Sequence, residues 1–456
     1  MAAVESLSRE ELIALLLEQQ RLIEALRAEI ERLKRGQHRP AAPFSKGKPK
    51  ANPKRPGRKR GKGPFRRREA PAQAPSQMET AEVPPVCPFC GGRLEQEGEE
   101  TATTTDVPAQ PQPVVTLYRI PVCRCQQCKR PVGGTAPGLA PDQYGATAHR
   151  MGAGVMAVAH TLHYSVGIPV RRIPAVLREL TGVTVTQSAI TQDALRRAEG
   201  AVGAAYKQLR DRVREAPVVH TDDTGWRIGG RTAFLMGFDT DQATVYQIRD
   251  QHRHEEVREL IPADYAGVMV TDRGKSYDAE EFAAVDQQKC LGHLVRNVSE
   301  VVEAKRGTAR QFGVKLRILL REGLALWHAR GQIIPEQFQT RIQKLDEQLT
   351  HHLRSRVLRD DDNQRLLDGI GLQHDRGHVL RFLVAEGVEP TNNRAERILR
   401  PAVIARKVSQ CSKNRRGAEA FAAFVTVSQT ARKTAAQTVT QMFQSLFSRT
   451  TPVAAR

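Results

Sequence analysis

The sequence has no apolar run approaching the ~18 residues that a membrane span requires, and its first residues show no leader pattern. No amphipathic or lipidated segment accompanies its positive charge, which weakens an anionic membrane as the partner. Acidic residues are absent from 35 to 68, a stretch with 14 Lys and Arg out of a chain net charge of +20. Such clustering excludes a neutral, evenly charged surface and points to a polyanion, most simply nucleic acid. Cysteines are few, seven in all, and odd in number. Five of them crowd between 87 and 128, which argues against a disulfide framework and for metal in a reducing compartment. A cytoplasmic protein without a membrane partner is the expectation.

What is present divides the 456 residues into several parts, because one core rarely holds so many. Residues 7 to 34 read as one helix. Leu12, Leu16, Gln19, Ile23, Leu26, Ile30 and Leu33 recur in steps of four and three, the seam of a short coiled coil that would make homo-oligomers (1–34). Residues 35–85, with "KGKPKANPKRPGRKRGKGPFRRRE", cannot bury a core and read as a basic tether able to touch phosphates. Residues 86–135 carry "CPFCGG" and "CRCQQCKR". The two CxxC pairs, Cys87/Cys90 and Cys125/Cys128, fit a four-thiolate zinc ribbon, with Cys123 as an alternative ligand and reduced loop thiols as the plainer reading. Residues 145–215 read as helical, with a turn at Thr181-Gly182 and a second helix beginning near Thr186, the length of a helix-turn-helix DNA-binding segment.

From 216 the pattern changes. "APVVHTDDTGWRI", "RTAFLMGFDT" and "ATVYQIRD" are strand-like runs with short turns, then a helix-like "HEEVRELI", the strand-like "AGVMVTDRGKSYD", and a short strand or loop with a helix in "FAAVDQQKCLGHLVRNVSEVVEA". That order predicts a mixed α/β sheet over 216–296. Residues 297–388 read as a helical insertion, with Phe338, Ile342, Leu345 and Leu349 on one apolar face and Val379, Leu380, Phe382 and Leu383 on another. Residues 389–456 return with "EPTNNRAERILRPAVIARKVSQ" and a helix from about Ala418.

Aspartates are disfavoured in strands, yet Asp222 and Asp272 each end a β-branched run, "VVHTD" and "VMVTD". Adjacent strands would set these carboxylates side by side, where divalent cations keep both ionised. Oxygen ligands suit Mg2+ or Mn2+, and a pair of such ions serves phosphodiester chemistry. Glu396 fits as a third ligand from a helix, with Asn392 and Arg400 on its face at i−4 and i+4, and Pro401 expected to end or bend that helix. Ion pairing of Glu396 with its many basic neighbours is the competing reading.

"HTDDTGWRI", "VTDRGKSYD", "CLGHLVR" and "NNRAERILRPAVIARK", in this order, resemble the motif series of the insertion sequence 66 family of transposases, and the leucine-rich helix, basic linker and paired CxxC motifs are similar too. The resemblance implies a ribonuclease-H-like core with an Asp-Asp-Glu triad, Asp222, Asp272 and Glu396, interrupted by a helical insertion. It further implies two Mg2+ ions (or Mn2+), hydrolysis at the ends of a bacterial mobile element, and attack of the freed 3′-OH on target DNA. Asp223 stands where the family has Glu, Leu291 where it has Trp, and Thr391 where it has Asp. Strand alternation puts Asp222 on one face and Asp223 on the other, supporting or partly solvent-facing. Expected DNA contacts are His293, Arg296, Asn392, Asn393, Arg394, Arg397, Arg400, Arg406 and Lys407. His293 reads equally well as a buried helix histidine. Trp226 is core or, less simply, a base-stacking platform, while Cys290 and Cys411 read as packing residues. Partners would be element ends, target DNA and accessory proteins of the same element. A catalytically silent DNA-binding protein and a metal-dependent nuclease on the same core are the rival functions.

Overall fold

The structure is a computed structural model that describes residues 149–354 and 356–448, with 81–95, 113–136 and short pieces of 18–26, 78–79 and 138–143. It forms two units, Met1–Ala109 and Gln110–Arg456. In the first, the described pieces of the expected coiled coil are helical, with Ile23 and Leu26 exposed. The rest of that seam, and the basic tether, lie outside the described residues. Among the described residues no helix is long and apolar enough to cross a membrane.

The second unit begins with a two-stranded antiparallel ribbon, β1 (Val122–Arg124) and β2 (Pro131–Gly133). Four helices follow: α1 (Ala153–His160), α2 (Ile173–Thr181), α3 (Gln187–Glu199) and α4 (Ala201–Arg214). Gly182 stops α2 in the left-handed conformation, at φ +70°, that glycine adopts without strain. The Thr186 hydroxyl accepts the Ala189 N–H at 3.1 Å and caps α3. Beneath them Asp193, almost fully buried, is held by His160, Arg196 and Arg197, and these partners keep its carboxyl well below the usual range against the opposing effect of burial.

The centre is a five-stranded sheet in the order β5-β4-β3-β6-β7. Its strands are β3 (Val218–Ile228), β4 (Arg231–Asp239), β5 (Thr244–Arg249), β6 (Val268–Thr271) and β7 (Gln287–Lys289), with a short helix α5 (His254–Arg258) before β6. The first three pair antiparallel and the last two run parallel to β3, so the sheet is mixed. The parallel pairs join strands of uninterrupted buried character, as two-sided burial demands.

Four helices then build the insertion: α6 (Leu291–Ala304), α7 (Gly307–Ala329), α8 (Pro335–His352) and α9 (Asp361–Asp375), followed by the single turn α10 (Arg381–Val384). The boundary expected at 296/297 falls inside α6. Ile342, Leu345 and Leu349 are buried and Phe338 packs at the margin of the same cluster, which also gathers Val270 of the sheet. Three last helices return to the sheet: α11 (Asn393–Ser409), α12 (Arg415–Thr434) and α13 (Val439–Ser448).

Of the two outcomes expected at Pro401, an end or a bend, the first does not occur; the helix continues to Ser409. The N–H that Pro401 lacks would have served the carbonyl of Arg397, which lies on the exposed side where solvent can serve it instead. Glu396 stands near a terminus because the helix starts at Asn393.

Candidate active site

The register of β3 against β6 pairs Val218 with Val268, Val219 with Met269 and His220 with Val270. Continued by two residues, that register points Asp222, within β3, and Asp272, the residue just after β6, to neighbouring positions, on strands whose backbones run about 4.8 Å apart. The Asp222 side chain shares the sheet face of His220, while Asp272 lies in the turn that follows β6.

On that face Asp222 is also opposite Gly237 of β4. A Cβ on Gly237 would meet Ile398 Cδ1 at 2.9 Å and Leu399 Cδ2 at 3.1 Å. The missing side chain therefore lets α11 lie close over the acid-bearing end of the sheet. Tyr246 of β5 donates its hydroxyl to the Ile398 carbonyl at 2.7 Å and holds the helix there. Glu396, in the first turn of α11, thus comes over the same face as Asp222.

The carboxylates feel one another. Burial first, and then the negative charges of Asp272, Asp223 and Glu396, push the Asp222 pKa up to about 7, although the Asp223 N–H donates to its Oδ1 at 2.9 Å. Asp272 Oδ1 accepts the Gly274 N–H at 2.7 Å, which fixes the turn after β6. Glu396 Oε1 lies 3.7 Å from His293 Nε2, on α6. A concentration of unneutralised carboxylate oxygens fits hard divalent cations. Among the described residues, however, no three His, Cys, Asp or Glu side chains are already closed into a metal-binding group.

The backbone segments bearing the three acids are stitched together by two residues. Cys290 donates its N–H to the Thr271 carbonyl at 2.7 Å, and its sulfur accepts the Asn392 N–H at 3.2 Å. Asn392 then donates its side-chain amide to the Thr221 carbonyl at 2.7 Å. Asn392 is completely buried and precedes the first helical residue, so it is not available to DNA, a correction to its expected role. As the N-cap it accepts the Glu396 N–H through its carbonyl at 3.2 Å, while its side chain turns to the Thr221 carbonyl. Cys290 is buried as expected of a packing residue, and it also bridges β6 to the turn before α11.

The remaining basic candidates fall into two groups. Asn393, Arg397, Arg400 and Lys407 are exposed at helical spacing along α11, and Arg296 is exposed on α6. Arg394 and Arg406 are instead engaged within the fold. Arg394 pairs with Asp239 at 3.2 Å and Asp241 at 2.7 Å, while Arg406 donates to the Thr224 hydroxyl at 3.1 Å and to the Gly225 carbonyl. Trp226 is core: 3% exposed, 5.0 Å from the Phe421 ring, its indole N–H on Ser412 Oγ at 3.2 Å. Sequence reasoning missed His252, whose Nδ1 lies 2.8 Å from Asp223 Oδ2 on the opposite sheet face.

The model of a family described as "Transposase IS66 family" matches residues 149–420, more than half of the chain and all of the sheet with its three acids. The chain belongs to this transposase family. No curated protein matches it. Family membership implies action on DNA and use of a divalent metal.

Both CxxC pairs form the same tight turn, each described within its own unit. Cys87 accepts from Gly91 N–H and donates to Gly92, and Cys125 accepts from Lys129 N–H and donates to Arg130, all at 2.8–2.9 Å. Gly91 and Lys129 take the left-handed conformation these turns need. Backbone N–H groups of Phe89 and Cys90 lower the Cys87 thiol pKa, and those of Cys128 and Gln127 lower that of Cys125.

Proposed function

We propose that this IS66-family protein is a catalytically competent DNA transposase that hydrolyses the phosphodiester at element ends and joins the freed strand to target DNA. The sheet would be the ribonuclease-H-like core that the motif resemblance implies. Asp222, Asp272 and Glu396 would hold a pair of Mg2+ or Mn2+ ions, which supply Lewis acidity to the reacting phosphate. The observation that supports this reading is the β3–β6 register, paired as far as His220 and Val270, together with the raised Asp222 pKa, to which the charges of Asp272 and Glu396 contribute.

The chain's own groups have separate tasks in this scheme. His293 steadies the Glu396 carboxylate. Cys290 and Asn392 keep the acid-bearing segments in mutual register. Arg296, Arg397, Arg400 and Lys407, with the neutral amide of Asn393, offer an exposed basic strip to DNA phosphates, while Arg394 and Arg406 orient the sheet ends beneath it. The helix pair α2–α3 is proposed as a further DNA-binding segment, and the N-terminal helix as the means of bringing two chains, and so two element ends, together. Structural zinc is proposed on Cys87 and Cys90 and on Cys125 and Cys128, supported by the matching knuckle turns and by the backbone N–H groups that lower the Cys87 and Cys125 thiols.

The test is Asp272→Ala assayed on duplexes carrying the element's own ends. Binding should persist and Mg2+-dependent nicking and strand joining should vanish. Joining by the purified variant would refute the triad. Nicking without joining by the parent protein would favour the nuclease alternative.

A further inference from the structure

On the sheet face opposite the triad's helix, a cavity of about 670 Å3 opens beside Asp272 and is lined by Asp223, Phe234, His252, Lys275 and Ser276 among others. We propose that it seats one nucleobase of the DNA strand next to the scissile phosphate, with His252 as the stacking plate. This inference rests on the transposase reading above and adds the position of a substrate nucleotide to it.

The plate is built before any ligand arrives. The His252 and Phe234 rings lie nearly parallel, 13° apart with centroids 4.0 Å from each other. Phe234 covers one face of the imidazole. The His252 side chain is nevertheless 46% exposed, so much of the ring remains open. Rotation of the ring is opposed by the 2.8 Å contact from Nδ1 to Asp223 Oδ2. The loop backbone is fixed as well, because Ser276, in the loop after Asp272, donates its hydroxyl to the His252 carbonyl. One hydrogen-bonded unit therefore ties the plate to both Asp223 and the segment that carries Asp272.

The lining selects the ligand chemistry. The lining sets the Asp223 carboxylate beside the positive charges of Arg253 and Lys275, so it suits a ligand that carries both hydrogen-bond donors and a phosphate. A nucleobase brings a flat π-face for His252 and amino or imino N–H donors for carboxylate oxygens. The exposed ammonium of Lys275 at the rim suits the phosphate attached to that nucleotide. The volume lies in the range of cavities that hold ligands of nucleotide size. A base leaving the helix at the cleavage point would also bend the backbone there, and its unstacking cost would be offset by stacking on the plate.

The experiment measures equilibrium binding in Ca2+ by fluorescence anisotropy. The probes are element-end duplexes that are intact or carry one abasic nucleotide at each position around the cleavage point. With the native protein, affinity should depend on whether a base is present at one of these positions. His252→Ala should weaken intact DNA about tenfold, as expected for loss of one stacked base, and should erase the distinction from abasic DNA at that position. His252→Phe, which keeps a flat ring, should restore both. Equal weakening of intact and abasic DNA by His252→Ala without rescue by phenylalanine would overturn the proposal, and so would unchanged binding. Because cleavage is not read, failure here leaves the Asp272→Ala result standing, and failure of the triad leaves this coupling measurable.

Discussion

Replacing Asp222 by asparagine should make the metal-free protein more stable while removing its chemistry. The reason is electrostatic. Burial and the three neighbouring carboxylates raise the Asp222 pKa from 3.8 to about 7. In the unfolded chain the same group ionises near pH 4. Between these values the folded state binds the extra proton, so stability falls as pH rises from about 4 to about 7 and stays lowered above that. A displacement of this size corresponds to roughly 4 kcal/mol, and the solvent that still reaches the half-buried side chain reduces the expected cost to about 2 kcal/mol. Asparagine has nearly the same shape and can still accept the Asp223 N–H, but it carries no charge. Urea unfolding with chelator, followed by Trp226 emission in a Trp327→Phe background, reports on β3 itself. At pH 8 the Asp222→Asn protein should unfold about 2 kcal/mol later than its parent, and near pH 4 the two should coincide. Added Mg2+ should raise the parent and leave the variant nearly unmoved, because bound cations stabilise the state that holds them. Equal or lower stability of the variant at pH 8 would refute the claim that unneutralised carboxylate charge is gathered at this point.

Two further outcomes follow from other contacts. Asn392→Ala leaves the Thr221 carbonyl without its 2.7 Å donor in a fully buried setting, which should cost about 1–3 kcal/mol in urea unfolding and slow cleavage with little change in DNA affinity. The purified full-length chain should contain zinc by elemental analysis, and Cys87→Ser or Cys125→Ser should each release it; a full complement of zinc in either variant would exclude that cysteine as a ligand.

The sheet was legible where strands announce themselves by pattern and turn. β3 and β4 are long, rich in β-branched and aromatic residues, and joined at Gly229-Gly230, whose φ angles of +57° and +82° suit a tight hairpin. Asp222 and Asp272 stood out because each ends such a run. The strand β7 was ambiguous, since "QQK" has neither alternation nor apolar content, yet all three residues are buried. Its polar groups are satisfied largely by tertiary partners: Lys289 Nζ by Thr271 and Asp278 as well as by Gln287 of the same strand, and Gln287 by the Tyr277 carbonyl. Residue type alone cannot reveal such partners, which lie on other elements. The same holds for Asn392. Its spacing from Glu396 read as a helical face, whereas its burial comes from the approach of the chain beneath Cys290. The His252–Asp223 pair was hidden because it joins a loop to a strand on the less regarded face.

The long helical stretch between Asp272 and Glu396 raises the question of how its two ends are held together, and β7 holds part of the answer. Gln288 donates to the Val379 carbonyl at 3.1 Å and accepts the Phe382 N–H at 2.9 Å, while Lys289 donates its N–H to the His378 carbonyl at 2.8 Å. The Gln288 side-chain amide and the Lys289 N–H thus fasten the returning segment to the outer edge of β7. Leu291 then donates to the Pro390 carbonyl at 2.8 Å, so the start of the insertion is bonded to its end. At the opposite edge, Thr426 and Thr430 of α12 accept the Tyr246 and Thr244 N–H groups of β5 at 2.9 and 3.1 Å. Closing a long loop costs only slightly more than closing a shorter one, since the entropy grows with the logarithm of its length. Four helices can therefore be accommodated between the second aspartate and the glutamate, provided the two ends stay bonded at Leu291 and Pro390. The position of Glu396 depends on that junction and on the Cys290–Asn392 stitch beside it, and little on the length of what lies between.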